Sequence, residues 1–190
     1  MIEGRALLET DEVLFRAQGL RVRVPIGAVS TAEPHDGWLR LVWGDESIEL
    51  ELGAAQALTW ADRIRNPRSL MDKLGVKQGM RVSVVGLGEP WLREELEARG
   101  AEVAAGRTVR ASDLILYRAD SVKELRRLDR LKGSLVKNGG IWVVSPKGDR
   151  SIRDVDVMAA AKEAGLVDVK VARWSDTHTA LKLVIPLALR

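Results

Sequence analysis

From Arg81 to the C-terminus, short apolar runs alternate with amphipathic segments, and this alternation constrains the fold more than any other feature of the chain. The runs read "VSVVGL", "AEVAA", "DLILYR", "GIWVVSP", "VDVKVARW" and "ALKLVIPL", and the spacing between them predicts helices over 90–99, 121–136 and 154–164. Strands that are apolar along their length are buried on both faces, and an intervening helix returns the chain for a parallel neighbour. The last two runs are joined by "SDTHT" alone, too short for a crossover, so they predict an antiparallel hairpin at the sheet edge.

Residues 12–52 carry a different pattern. In "LRVRV" the apolar Leu20, Val22 and Val24 alternate with Arg21 and Arg23, the period of a strand with one wet face. His35-Asp36-Gly37 and Gly44-Asp45-Glu46 suit tight reversals. The stretch therefore predicts a small antiparallel meander. "GAAQALTWADRIRNP" follows, with Ala54, Leu58, Ala61 and Ile64 at helical spacing and Asn66-Pro67 as a stop, which predicts a helix laying Leu58 and Ile64 on the sheet. The expected organisation is a small antiparallel β domain closed by one helix over 1–67, "PRSLMDKLGVKQG" as a linker, and an α/β domain within 68–190.

Composition supports two units. Residues 1–70 hold 8 Arg, no Lys and 11 acidic residues, net −3, which leaves +6 on the remainder. Apolar residues make up 46% of 190, enough for a real core. No cysteine occurs, which excludes disulfides, thiolate metal sites and a cysteine nucleophile. No run reaches 18 consecutive apolar residues and the N-terminus has no signal-peptide pattern, so a cytoplasmic protein without a membrane span is expected. Lys123, Arg126, Arg127, Arg130, Lys132 and Lys137 crowd one segment, but no aromatic residues interleave with them. A solvated helix face, and no nucleic-acid partner, is the expectation.

The second half resembles class I methyltransferase-like Rossmann folds. The resemblance rests on the terminal antiparallel strand, on "LKGSLVKNGGIWVV", which is similar to a helix ending at Gly-Gly before the fourth strand, and on "KEAGLVDVKV". By count one strand-helix unit is missing before Asp113, so the domain is abbreviated. "KLGVKQGMRVSVVG", "GGIWVVSPKG" and "AGLVDVKVARWSDTHTALKLV" resemble, in order, the bacterial family called domain of unknown function 3052, over about 70–186. That family reads Trp-Pro-Lys at Ser145-Pro146-Lys147 and Thr-Trp-Ser-Gly-Leu-Lys at 177–182, so two of its tryptophans are absent here. The order of elements over 1–67 weakly resembles a pleckstrin-homology-like module, a scaffold for protein partners or homo-oligomers.

Against that fold, Gly86 and Gly88 form a Gly-x-Gly turn after the first strand. Glu89-Pro90-Trp91 follows, with a glutamate where a bound pyrophosphate would lie. Glu89 near the positive helix end, with Pro90 at the first helical position, is a complete structural account of the turn. The second strand ends Ala105-Gly106-Arg107, without a carboxylate for ribose hydroxyls, and Glu102 lies at its start. The candidate ligand crevice is therefore Gly86, Gly88, Lys147 and Arg118, the last two at strand carboxyl ends, with Arg150 and Asp120 nearby. His35 and His178 form no triad or metal cluster, and His178 is expected in an exposed loop. The chain is expected to be a non-catalytic binding or assembly protein without a cofactor. S-adenosylmethionine-dependent methyl transfer, or an enzyme holding an anion on Lys147, is the alternative.

Overall fold

The computed structural model describes residues 2–190. The chain divides into two compact units, Met1–Arg68 and Ser69–Arg190. The first holds strands β1 (Arg5–Leu8), β2 (Glu12–Ala17), β3 (Leu20–Pro25), β4 (Val29–His35), β5 (Trp38–Trp43) and β6 (Glu46–Glu51), then helix α1 (Ala54–Arg65). They form two antiparallel sheets, β1-β2-β3 and β4-β5-β6, where a single meander beginning at Glu12 was expected. Two-residue turns set the registers: His35 pairs with Trp38 across Asp36 and Gly37, both at positive φ.

Helix α1 covers a core of Val13, Val24, Leu39, Leu41 and Leu50 with Ala57, Trp60, Ala61 and Ile64. Ile64 takes the expected inward place, whereas Leu58 is 61% exposed. At 100° per residue, 57, 60, 61 and 64 make one stripe that includes the bulky Trp60, and Leu58 falls off it.

The second unit is a mixed α/β layer. Helix α2 (Leu70–Leu74) leads into β7 (Arg81–Val85), α3 (Pro90–Ala98), β8 (Glu102–Ala105), β9 (Ser112–Arg118), α4 (Leu128–Lys132), β10 (Leu135–Pro146), α5 (Asp154–Glu163), β11 (Val167–Arg173) and β12 (His178–Val184). The six-stranded sheet has the order β11-β12-β10-β9-β7-β8. The pairs β8/β7, β7/β9 and β9/β10 are parallel, and β12 alone runs against its neighbours. This is the expected fold class: a mostly parallel sheet ending in an antiparallel hairpin, preceded by a small antiparallel β region closed by one helix. Residues 106–111 join β8 to β9 without a helix, the abbreviation foreseen before Asp113.

Alternate residues feed two cores. Val84, Leu116, Trp142 and Val144 meet Leu74, Leu92 and Leu96 on one face, while Ile115, Tyr117, Ile141 and Val143 meet Leu128, Val157 and Ala161 on the other. From Ser69 onward the expected linker belongs to this unit. Ser69 and Asp72 close a capping box on α2, and Met71 and Leu74 are each 1% exposed.

The helix expected over 121–136 is broken. A 3-10 turn covers Val122–Arg127, α4 follows, and Leu135 already pairs with Ser112. Gly139 and Gly140 lie within β10, not at a helix end. A Cβ at 139 would stand 3.0 Å from the carbonyls of Ser112 and Asp113, and one at 140 would stand 3.0 Å from Lys182 Cε. The glycines answer to close strand approach, and pairing with β9 overrides the helical spacing of the leucines.

Asp72 ties α2 to the end of α3. Arg99 donates to it at 2.6 Å and also to Ser69 Oγ. The Arg99 guanidinium, then the Ser69 hydroxyl, hold the Asp72 carboxyl down from its ordinary 3.8 to about 2. A depressed carboxyl stabilises the fold above its unfolded pKa and ceases to do so as pH falls through its folded one. Asp72→Asn should therefore lower the melting temperature at pH 7, and the gap to wild type should close between about pH 4 and pH 2 in a thermal-melt series. Trp142, fully buried, donates from Nε1 to Leu74 O at 3.0 Å. Trp142→Phe should cost about 1–3 kcal/mol in denaturant unfolding, the range for losing a buried donor.

Candidate functional site

In the second unit the chain steps from β7 outward to β8, then returns to place β9 on the other side of β7. Such a reversal opens a crevice at the strand carboxyl ends, where ligands of open α/β sheets bind. Gly86 and Arg118 sit at that point. Gly86 has φ of +76°, and a Cβ there would lie 3.3 Å from Arg118 Cβ, so glycine is needed for both conformation and closeness. Gly88 has no neighbouring atom within 4 Å of a built Cβ and faces open space.

Glu89 caps α3 without a side-chain hydrogen bond, and Pro90 begins the helix. Glu89 Oε2 is buried and unpartnered, at the end of the helix where the backbone dipole is positive. It borders a cavity of about 140 Å³ with Val84, Leu87, Gly88, Leu92 and Val103. Ligand pockets for drug-sized molecules run to about 300–1,000 Å³, so this one holds only a fragment.

The two expected cations are engaged elsewhere. Arg118 Nε donates to both carboxylate oxygens of Asp120 at 3.0 Å. Asp120 is fixed in turn: its N–H donates to Glu124 Oε2, and its carbonyl accepts from Ser151 Oγ. Lys147 Nζ donates to Ser175 O at 2.6 Å, and its backbone N–H donates to Thr177 O. It thereby braces the β11–β12 turn. Of the four candidates, Gly86 and Arg118 are brought together, Gly88 opens beside the cavity, and the Lys147 amine is turned to the hairpin. Arg150 is exposed, and β8 ends as the sequence reads, with Gly106 N–H donating to Val84 O.

Two features escaped the sequence reading. Trp91, in the first turn of α3, meets Trp174, after β11, with ring centroids 6.1 Å apart and planes tilted by 48°. His178 is half-buried where an exposed loop residue was expected. Its Nδ1 lies 2.9 Å from Thr177 Oγ1 and its Nε2 is buried without a partner. Trp174 N–H donates to His178 O. The described residues thus carry two buried orphan atoms, on Glu89 and His178, each close in chain or by hydrogen bond to one member of the tryptophan pair. Position in sequence signals neither, because tertiary packing makes them.

The remaining polar clusters have structural accounts. Ser83 and Ser112 share a hydrogen bond of 2.8 Å, and Val109 N–H donates to Ser83 Oγ while Ser112 Oγ donates to Val109 O. Lys182 and Lys170 both lie within 6 Å of the Trp142 ring, and burial, then the Lys170 charge, pushes the Lys182 amine down. In the basic segment, Lys132 donates to Ala164 O and Arg127 covers the Tyr117 ring. Among the described residues no cluster of three metal-ligating side chains occurs, and no helix is long and apolar enough to cross a membrane.

No protein-family model and no curated protein matches the sequence. Solved structures do match. An S-adenosylmethionine-dependent methyltransferase from Aquifex aeolicus is 15% identical, over 66% of this chain and 93% of that one, with a TM-score of 0.51. The second unit has a methyltransferase-like Rossmann fold. A magnesium protoporphyrin IX methyltransferase from Synechocystis is 13% identical over 59% of this chain and 73% of that one, TM-score 0.49. The fibrillarin pre-rRNA processing protein of Methanococcus jannaschii is 12% identical over 97% and 99%, TM-score 0.43.

Gly86→Ala should cost about 1–2 kcal/mol in denaturant unfolding, because a left-handed backbone is imposed on a Cβ. Gly88→Ala, with open space around it, should leave the midpoint within about 0.5 kcal/mol of wild type.

Proposed function

We propose that this chain is a non-catalytic binding or assembly protein in which a methyltransferase-like sheet serves as scaffold. One observation carries the reading: the two cations expected at the sheet's carboxyl edge are both held by acceptors of this chain, and β8 ends without a carboxylate. Arg118 is chelated by Asp120, Lys147 braces a turn, and β8 ends in Ala105-Gly106-Arg107. The fit to S-adenosylmethionine is correspondingly incomplete. Gly86 and Gly88 leave a glycine turn open, but the cavity beside them holds a fragment of such a molecule and no carboxylate faces the crevice from β8. An anionic ligand would meet Glu89 before it met a free cation.

A second reading, a divergent S-adenosylmethionine-dependent methyltransferase, is favoured by Glu89 itself. Its buried Oε2 has no partner, and a ligand rich in hydroxyl or ammonium donors would satisfy it. Isothermal titration with S-adenosylmethionine, S-adenosylhomocysteine and adenosine separates the readings. The scaffold reading expects no heat of binding at ligand concentrations up to a millimolar. Micromolar binding that Glu89→Gln weakens tenfold or more would replace it with the second. Lys147→Ala is expected to alter no ligand affinity and to lower the melting temperature through loss of the turn brace.

A further inference from the structure

The first unit leaves two strand edges open beside one groove. Leu52 N–H, just past β6, donates to Gly37 O, so the β5/β6 register makes Leu50 and Ile48 bonded positions of β6. The backbone N–H and C=O of Ser47, Glu49 and Glu51 therefore point to the free edge. The same count from Glu9 N–H to Glu12 O turns the backbone of Ala6 and Leu8 outward from β1. Among the described residues no strand pairs with either edge. A groove of about 1,080 Å³ lies along both, lined by Ala6, Phe15, Leu20, Ile48, Glu49 and Glu51 among others.

An edge with unspent backbone groups is a template for another strand. The side chains of β6 say which kind. Leu50 is buried and Ile48 half-buried, facing inward, while Glu49 and Glu51 are exposed on the other face. Glu3 adds a third carboxylate to the lining, against Arg5 alone. Neither Glu49 nor Glu51 forms a salt bridge with a described residue.

We propose that this groove binds an extended peptide that adds as a strand to β6, with alternating apolar and basic residues. Its apolar residues would sit beside Ile48 and Leu50, over Phe15 and Leu20. Its lysines or arginines would fall beside Glu49 and Glu51 as opposite-charge cross-strand pairs. The six residues of β6 offer about 20 Å of edge, enough for a peptide of similar length. This deepens the binding-and-assembly reading, on which it rests, and makes no use of the crevice in the second unit.

The test is fluorescence anisotropy of the full chain with a labelled synthetic octapeptide of alternating valine and lysine. Controls are the glutamate-for-lysine peptide and one of the same composition in two blocks. The alternating basic peptide should bind at least tenfold more tightly than either. Charge reversal by Glu49→Lys with Glu51→Lys should weaken it tenfold and favour the glutamate peptide. Glu49→Pro removes an outward N–H without touching the β5 ladder, and should abolish binding while the melting curve stays near wild type. Equal affinity for the block peptide, or unchanged binding in both variants, overturns the proposal. So does a dimer in sedimentation that Glu49→Pro dissolves, since a second copy would then be the occupant. Loss of peptide binding leaves the adenosine-ligand titrations unaffected, so this inference and the scaffold reading fail separately.

Discussion

Burial of β10 between β9 and β12 is the constraint on which the second unit depends. Ile141, Trp142, Val143 and Val144 are 0% exposed, and their side chains alternate into the two cores. Trp142 does more than fill space. Its indole N–H reaches the last carbonyl of α2, while Lys170 and Lys182 cover its ring, so one side chain joins α2, β10, β11 and β12. The glycines before it let β10 approach β9 and Lys182 closely. Once β10 is seated, the antiparallel hairpin and the braced turn at Lys147 follow.

The carboxyl edge shows how a crevice common to open α/β sheets can be spent on structure. Positive groups at strand ends attract anions only when no internal acceptor competes. Here Asp120 and the Ser175 carbonyl are within hydrogen-bonding distance and take both. Aromatic contact between Trp91 and Trp174 closes the same edge from the α3 side. What remains is a small cavity and two unpartnered atoms, on Glu89 and His178. The first unit is the reverse case, since its core is covered but the outer edges of β1 and β6 stay unpaired among the described residues and Glu49 and Glu51 form no salt bridge there.

Much of the fold was legible because it rests on local periodicity. Apolar runs with helical spacing between them located β7 to β12, α3 and α5, and the short link "SDTHT" foretold the hairpin. Where the period was ambiguous the reading failed. The leucines of 125–135 fit a helix, yet Leu135 belongs to a strand because Ser112 is there to pair with it. Leu58 keeps helical spacing with Ala54 and Ala61, but the buried stripe of α1 runs through Ala57 and Trp60 and leaves it outside.

The candidate site was legible only as positions. Sequence put Gly86, Gly88, Arg118 and Lys147 at strand ends, since the strands themselves could be counted. Which way Arg118 and Lys147 turn depends on acceptors 2 and 28–29 residues away, and the distant ones come near only through folding. The same holds for the orphan oxygen of Glu89 and for the pairing of Trp91 with Trp174. Sequence alone determined the alternation of strands and helices after Arg81 and the composition of the two units, because short-range periodicity and turn chemistry decide those. Tertiary structure alone decided which charges are free, because long-range packing chooses each side chain's partner.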